Sequence, residues 1–263
     1  MAQARRRAYT AAMAESPPEP IPAATVVIFR ETGGSPPELL MIERAATLAF
    51  AGGALVFPGG RIDPGDRALA AMHPFEDAAA RIAAIRETIE ETGVPIALDS
   101  LPDAVALAAM RAALHAGAAF GEMLAEAKVA LDLAALVPFA RWRPAHIHSR
   151  IFDTRFFLAR LPGGAPAPVV DATETVRAFW ASAQQVLDEA DAGRAHIIFP
   201  TRRNLERLAR FASFAEAAAD ARAHPIRTIT PWTEQRDGHP HLCIDADLGY
   251  PVTAEPLTAA LRG

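Results

Sequence analysis

The most informative stretch of this chain is Arg86-Glu87-Thr88-Ile89-Glu90-Glu91-Thr92-Gly93-Val94. At about 100° of rotation per residue in an α-helix, its three glutamates cluster on the side opposite a stripe of isoleucines. The stripe consists of Ile82, Ile85 and Ile89. Three like charges on one helix face repel each other unless a divalent cation neutralises them. Because Mg²⁺ and Mn²⁺ favour oxygen ligands, the pattern predicts a metal site; an ordinary solvated acidic face is the alternative.

A second informative stretch lies upstream, Phe57-Pro58-Gly59-Gly60-Arg61-Ile62-Asp63-Pro64-Gly65-Asp66. It follows an apolar run from Ala54 to Phe57 that predicts a short buried strand, and its glycines and prolines predict a turn. Together, the two stretches resemble the Nudix hydrolase signature. That signature reads G-x5-E-x7-R-E-U-x-E-E-x-G-U, where U is a bulky apolar residue, and forms a loop, a helix and a loop.

The chain departs from the Nudix pattern in three ways. Asp66 replaces the usual Glu, nineteen residues separate it from Arg86 where the pattern has seven, and Thr88 replaces an aliphatic residue. We expect the twelve extra residues, near 68–75, to lengthen the loop before the helix. The helix is then predicted to restart at Pro74, with Glu76 and Asp77 in its first turn, and to stop at Gly93 and Pro95.

The resemblance implies a fold, a cofactor and a set of site residues. The implied fold is α/β, a Nudix α/β/α sandwich around a mixed sheet. The implied cofactor is Mg²⁺ or Mn²⁺, held by Glu87, Glu90, Glu91 and the main-chain carbonyl of Gly59, and one of the glutamates would activate water. Arg86 is expected to hold a carboxylate in place through bidentate hydrogen bonds, since a fixed guanidinium suits that task.

Weaker motifs between about Ala23 and Tyr250 are similar to the Nudix-19 subgroup and its bacterial relatives. They are the segments Glu38 to Arg44, Phe57 to Gly60, Trp142-Arg143-Pro144, Arg155-Phe156-Phe157 and Pro200-Thr201. This similarity implies cleavage of coenzyme A or acyl-coenzyme A at its diphosphate. The alternatives are a hydrolase of ADP-ribose or dinucleotides, and a non-catalytic nucleotide sensor.

The rest of the chain predicts a single domain. Residues 1–22 are expected to form a flexible tail and residues 23–263 one Nudix domain, with an alanine-rich helical insertion at about 101–136. Strands are predicted at 25–29, 39–42, 151–161, 176–180 and 196–199, and helices at 182–192 and 201–223.

Composition restricts the partners of the protein. The 263 residues carry a net charge of −5 and one cysteine, Cys243. This charge argues against broad nucleic-acid binding, and the single cysteine excludes an intrachain disulfide and favours a cytoplasmic location. No apolar stretch reaches the length of about 20 residues that a membrane-spanning helix needs. The expected partner is a small nucleotide derivative, and the resemblance adds a homodimer as an assembly state.

Several residues outside the two stretches are further candidates. Glu174, in a late loop, would act as base by analogy with other Nudix enzymes or be a surface acid. Arg44 and Arg155 could bind substrate phosphates, with surface ion pairing as the alternative. His146 and His148 are two residues apart but follow Pro144, which favours a loop over a metal pair. Core packing is preferred for Cys243 and for the tryptophans, which are Trp142, Trp180 and Trp232.

Overall fold

The computed structural model describes residues 19–33, 36–48, 51–144, 150–170 and 174–260. The first strand begins at Ile21, two residues before the expected start of the domain at Ala23. The expected tail at 1–22 therefore overlaps the sheet at its end, and its first eighteen residues lie outside the described part. His146 and His148 also lie outside the described residues.

Within the described residues, one mixed sheet of eight strands forms the centre of the protein. Its strands are β1 (Ile21–Arg30), β2 (Glu38–Arg44), β3 (Leu55–Val56), β4 (Gly59–Arg61), β5 (Val137–Trp142), β6 (Phe152–Arg160), β7 (Thr175–Ser182) and β8 (Thr228–Ile229). The path β3-β2-β1-β6-β5-β8 is completed by β4 against β1 and β7 against β2. The β1–β6 and β5–β8 pairs are parallel and the other pairs are antiparallel. A separate antiparallel sheet contains β9 (Trp232–Arg236), β10 (His239–Cys243) and β11 (Ala254–Pro256).

Helices cover both faces of the large sheet. They are α1 (Pro64–Ala70), α2 (Ala78–Thr92), α3 (Ala104–His115), α4 (Phe120–Ala127), α5 (Ala183–Asp191), α6 (Phe199–Leu208), α7 (Phe214–Ala223) and α8 (Leu257–Ala260). Strand β1 shows how the layers arise, because side chains alternate between the faces of a strand. Val26 and Ile28 pack with α2, α3 and α4, whereas Val27 and Phe29 pack with α5, α6 and α7. This arrangement confirms the predicted α/β/α sandwich around a mixed sheet.

The spacer between the two signature stretches is more ordered than expected. Instead of a simple extended loop, it contains the short helix α1, and α2 begins at Ala78, after the predicted restart at Pro74. Local chemistry explains α1: Pro64 occupies its first turn, and Asp63 and Asp66 form a capping box around it. The predicted end of α2 is correct, since Gly93 adopts the left-handed conformation at φ 66°.

Two predictions in the second half of the chain were wrong. The expected strand at 196–199 is a single bridge from His196 to Ala54, and Phe199 already begins α6 with Pro200 in its first turn. The expected helix at 201–223 is two helices, α6 and α7. Ser213 separates them because its hydroxyl accepts the backbone N–H of Glu216 and so caps α7.

The insertion leaves the sheet and returns to it at a base held together by backbone hydrogen bonds. Its helices α3 and α4 are followed by a 3₁₀ turn at Leu133–Ala135. At its base, the Asp99 N–H donates to the Ala130 carbonyl over 2.9 Å and the Asp132 N–H to the Ala97 carbonyl over 2.8 Å. Buried side chains such as Met110 pack it against the α2 side of the core. The helical insertion predicted at 101–136 is therefore present.

The described helices include none with both the length and the apolar character required to cross a bilayer. Cys243 is buried, as preferred from the sequence. Trp142 is also buried, and its indole N–H lies 3.1 Å from the Tyr250 hydroxyl and 3.3 Å from the Asn204 side-chain oxygen. Trp180 is half-buried beneath the Arg30 guanidinium, which lies 4.5 Å from the ring centre.

Candidate active site

A cavity of about 1190 Å³ lies where the loop after β3 meets α2. It brings together residues that are distant in the sequence. Acidic side chains from α2, basic side chains from the sheet and small residues from the insertion all contribute to its wall. The predicted site residues that line it are Arg44, Gly59, Arg86, Glu87, Glu90, Glu91 and Glu174.

Gly59 joins the loop to the helix. Its N–H donates to the Glu91 carboxylate over 2.9 Å, and its backbone has φ 155°. A Cβ at this position would lie 2.3 Å from the Ala24 carbonyl oxygen and 2.7 Å from the Thr25 Cα, so the backbone of β1 leaves room for glycine alone. Burial raises the pKa of Glu91 well above its usual value; the Glu87 charge adds to this rise and the Gly59 N–H opposes it.

Glu87 lies directly over the second glycine of the loop. A Cβ added to Gly60 would fall 2.3 Å from both the carboxyl carbon and one carboxyl oxygen of Glu87. Burial raises the pKa of Glu87 to about 7, and the neighbouring Glu90 charge adds to the rise, while Arg86 acts in the opposite direction. The absence of a side chain at Gly60 therefore creates the space that the Glu87 carboxylate occupies.

Arg86 forms the centre of a hydrogen-bonded network. Its Nε and one terminal nitrogen each donate to a different oxygen of Asp66 over 3.0 Å, the bidentate arrangement expected from the sequence. The same terminal nitrogen donates to the Arg61 carbonyl over 2.9 Å. Its other terminal nitrogen lies 3.0 Å from Glu87 and 3.3 Å from Glu90. Asp66, which replaces the usual glutamate of the signature, is almost fully buried.

The pKa of Arg86 shows the balance of these contacts. Burial by itself lowers that pKa, but the hydrogen bonds that Arg86 donates to Asp66 and the charges of Glu87, Asp66 and Asp63 raise it above the usual value for arginine. The guanidinium is consequently a permanent cation beneath the acidic face of α2.

Thr88, the third departure from the pattern, is fully buried on α2. Its hydroxyl donates to the Ala84 carbonyl over 2.7 Å, one turn earlier. Threonine therefore fits this apolar site because its polar atom bonds to its own helix.

The carboxylates of the site are ligands that a hard divalent cation prefers, but in this structure they do not surround a common point. In the described part of the chain, no three acidic, histidine or cysteine side chains already converge as a metal-binding group. Glu87 turns towards Arg86 and Glu91 towards the Gly59 N–H. Burial and neighbouring acidic charges raise the pKa values of these two carboxyls, and a divalent cation would offset those charges. The donor set thus fits such an ion by its chemistry.

The structure separates the two arginines proposed to contact substrate. Arg44 lines the cavity, and its buried Nε has no hydrogen-bond partner among the described residues. Arg155 does not line the cavity, whereas its neighbours Thr154 and Phe156 do. Because side chains alternate along β6, Arg155 lies on the opposite face of the sheet from these two neighbours, and the structure does not bring it to the cavity.

Glu174 reaches the cavity from the start of β7. Its backbone carbonyl accepts the Ala45 N–H over 2.8 Å, which ties this segment to the end of β2. The charge of Glu174 contributes to the raised pKa of Glu91, whereas that of Arg44 opposes the rise. Both side chains are thus close enough to Glu91 to act on it electrostatically.

Two residues of the insertion reach the site without having been predicted. His115 lines the cavity, and its Nδ1 lies 3.8 Å from a Glu90 carboxyl oxygen. Arg111 donates to the backbone carbonyl of Glu90 over 2.9 Å. One signal was available: Arg111 is the only arginine between residues 101 and 136. Its partner is a main-chain atom, however, and no residue type marks that partner in the sequence.

Comparisons with known proteins address the family to which this chain belongs. The family model of the NUDT19 Nudix domain matches residues 69–208, more than half of the chain, and the general NUDIX domain model matches residues 19–105. A search of curated proteins gave no match.

Solved structures with the same fold include a NUDIX hydrolase from Alicyclobacillus acidocaldarius. It is 28% identical, with a TM-score of 0.67, and the match covers 76% of this chain and 96% of that one. A MutT NUDIX hydrolase from Burkholderia pseudomallei is 16% identical, with a TM-score of 0.41 and coverage of 72% and 98%. The NUDIX domain of Shewanella oneidensis NrtR, complexed with ADP ribose, is 15% identical, with a TM-score of 0.40 and coverage of 80% and 97%. The family-model match over more than half of the chain shows that the chain belongs to the Nudix hydrolase family, and within it the chain resembles the NUDT19 type.

Proposed function

We propose that this protein is a Mg²⁺- or Mn²⁺-dependent hydrolase that cleaves the phosphoanhydride of a nucleoside diphosphate linked to another group. Coenzyme A or acyl-coenzyme A is the first-choice substrate. The observation that carries the proposal is that Glu87, Glu90 and Glu91 lie beside the Gly59 loop on one wall of a large cavity. The match to the NUDT19 Nudix domain supports the choice of coenzyme A, because the Nudix-19 subgroup is associated with it.

The size of the cavity supports a large substrate. Its volume of about 1190 Å³ lies above the range of roughly 300–1,000 Å³ typical of small-molecule sites. The acidic wall on α2 suits a metal-bound diphosphate, and aromatic side chains such as Phe156 and Phe199 line another part of the cavity. A nucleotide derivative with a bulky second group matches both the volume and the mixed lining.

In this mechanism, Glu87, Glu90, Glu91 and the Gly59 carbonyl would hold the divalent ion. The ion supplies charge stabilisation for the phosphoryl oxygens when bound. Arg86 holds α2 against α1 through its two hydrogen bonds to Asp66. Arg44, which lines the cavity, would bind a phosphate oxygen through its guanidinium. Glu174 or one of the α2 glutamates accepts the proton of the attacking water.

The first test identifies products by mass spectrometry after the protein and Mg²⁺ or Mn²⁺ are incubated with a substrate panel. The panel contains coenzyme A, acetyl-coenzyme A, ADP-ribose, NADH and diadenosine polyphosphates. We expect adenosine 3′,5′-bisphosphate from the coenzyme A compounds alone. Release of AMP mainly from ADP-ribose or NADH would keep the hydrolase and replace its substrate. A folded protein that turns over none of them would favour the nucleotide sensor.

Glu91→Gln tests the role of the carboxylates with almost no change of shape. We expect turnover to fall by at least about 10³-fold, because an amide ligates a divalent ion poorly, while unfolding stays cooperative. Glu126→Gln is the matched control, since Glu126 is exposed on α4 and does not line the cavity. Full activity in Glu91→Gln would refute the metal-ligand assignment.

A further inference from the structure

Two arginines join the helical insertion to helix α2, one from each side. At the start of α2, buried Arg81 donates to the carbonyls of Leu133 over 2.7 Å and Leu136 over 2.5 Å, at the end of the insertion. Its Nε also binds Asp77 over 2.6 Å, before the first turn of α2. The guanidinium thus binds two backbone carbonyls at the 3₁₀ turn, and it fixes the end of the insertion against α2.

The second arginine runs in the opposite direction, from the insertion to the last turn of α2. Arg111 on α3 donates through Nε to the Glu90 carbonyl over 2.9 Å and through a terminal nitrogen to the Glu91 carbonyl over 3.4 Å. The last carbonyls of a helix have no partner within the helix and carry partial negative charge. A cation at this place therefore stabilises the very turn that carries two of the three acidic side chains.

One turn further along α3, His115 reaches the side chain of the same glutamate. Its Nδ1 lies 3.8 Å from one Glu90 oxygen, and Arg86 lies 3.3 Å from the other. Because Arg111 and His115 are four residues apart, they lie on one face of α3. That face therefore contacts Glu90 at both its backbone and its carboxylate.

The second insertion helix, α4, contacts the helix that carries Asp66. Gly121 on α4 lies against Leu69 of α1, where an added Cβ would be 3.4 Å from the nearest Leu69 methyl carbon. Helix α1 carries Asp66, the bidentate partner of Arg86. The insertion therefore touches both elements whose side chains meet at Arg86.

We infer that the insertion positions Glu90 for metal binding, with Arg111 and His115 as the positioning residues. This inference rests on the proposed function, because it assigns a task to a ligand of the proposed metal. Arg111 fixes the main chain of the last turn of α2, and His115 limits the directions in which the Glu90 carboxylate can turn. Both residues act through Glu90, so their effect should appear first as weaker metal binding.

Mn²⁺ binding to the full-length protein, measured from the electron paramagnetic resonance signal of free Mn²⁺, tests this inference without turnover. We expect Arg111→Met to weaken binding by roughly 10-fold, as is typical when a group that orients a metal ligand is lost. His115→Gln should weaken it by a smaller factor. Arg111→Lys should recover part of the loss, because an ammonium can still reach one carbonyl. Lys128→Met, an exposed charge removal at the end of α4, should bind as the wild type does.

The outcomes separate the two hypotheses. Folded Arg111→Met and His115→Gln proteins that bind Mn²⁺ as tightly as the wild type would overturn the positioning role. If Arg111→Met does not fold, His115→Gln and Arg111→Lys decide the question in the same way. A wild type that binds no Mn²⁺, or that binds it no better than Glu91→Gln does, would instead refute the proposed metal site itself.

Discussion

Arg86 and Arg203 are both buried, yet their surroundings differ in kind. Arg86 bonds to Asp66 through two nitrogens and to the Arg61 carbonyl, and it contacts two glutamates. Arg203 on α6 places one terminal nitrogen 2.8 Å from Glu206 and 3.0 Å from Glu255. Its Nε and other terminal nitrogen have no partner among the described residues.

The pKa shifts of the two arginines consequently have opposite directions. Burial lowers the pKa of Arg203, and the charges of Glu206 and Glu255 only partly offset the effect. At Arg86 the carboxylates outweigh burial and raise the pKa. Burial alone therefore does not tell whether a charged residue stabilises a fold; the number and alignment of its partners do.

Arg86→Met should cause the largest loss in this comparison. It leaves the Asp66 carboxylate buried without its cation, and we expect the free energy of unfolding to fall by about 3–5 kcal/mol. Urea denaturation followed by circular dichroism measures the loss. Arg222→Met, at an exposed site on α7, is the control and should change stability by less than about 0.5 kcal/mol. A loss at Arg86 as small as that of the control would contradict the importance of the network.

Asp66→Asn should cost less, about 1–3 kcal/mol, because the amide keeps the shape but turns a donor towards existing donors. Those donors are the Arg86 guanidinium and the Asp63 backbone N–H, which lies 2.8 Å from an Asp66 oxygen. Asp63→Asn removes the same charge at 3.6 Å from Arg86, but at an exposed side chain. The same denaturation series should show little change for that variant, and equal losses in both would mean that the bidentate geometry has no special value.

The pH dependence of stability tests the second cluster. Burial raises the pKa of Glu206 from its ordinary value of 4.5 to about 7, even though the Arg203 charge lowers it. Between these values the folded state binds more protons than the unfolded state, so this group contributes stability at low pH that is lost as the pH rises towards and through 7. We expect a loss of about 1–3 kcal/mol between pH 5 and pH 8.

Glu206→Gln isolates this contribution from the other carboxyls. Thermal unfolding from pH 5 to pH 8 should show a shallower decline for the variant than for the wild type. Parallel curves for the two proteins would show that Glu206 titrates as it does in the unfolded chain.

Arg203→Met should have the smallest effect, a loss of about 1 kcal/mol at pH 6. The substitution removes two hydrogen bonds but also two buried nitrogens without hydrogen-bond partners, and Glu206 can take up a proton when its cation is gone. Chemical denaturation beside Arg86→Met provides the measurement. A loss equal to that of Arg86→Met would mean that the missing partners of Arg203 do not weaken its contribution.

The sequence predicted the elements whose signals are local. The isoleucine stripe of α2 is fully buried, Gly93 ends the helix, and the three glutamates line one cavity. Each of these results depends on spacing within a single helix. Helix α1 had a local signal as well, which consists of the proline and the two aspartates of its capping box. It was not predicted because this segment was interpreted as a loop.

The features that the sequence did not predict concern relations between segments, most of them distant. The face on which Arg155 lies depends on the register of β6 against β1, which its own residues do not determine. Arg81 and Arg111 bind backbone carbonyls, which every residue possesses. The division between α6 and α7 depends on the Ser213 cap, a weak signal within an otherwise helical pattern.

The base of the insertion has a consequence for tolerance to change in length. Backbone hydrogen bonds at 97–99 and 130–132 hold the two ends of the insertion together. A change in the middle of the insertion therefore leaves its connection to the sheet unchanged. The entropy of closing such a loop grows only logarithmically, by about 0.6 kcal/mol for each doubling of length. Residues can therefore be added to or removed from the turn between α3 and α4 at small thermodynamic cost. Changes in the length of the insertion can thus alter the shape of the cavity while the core of the sheet keeps its fold.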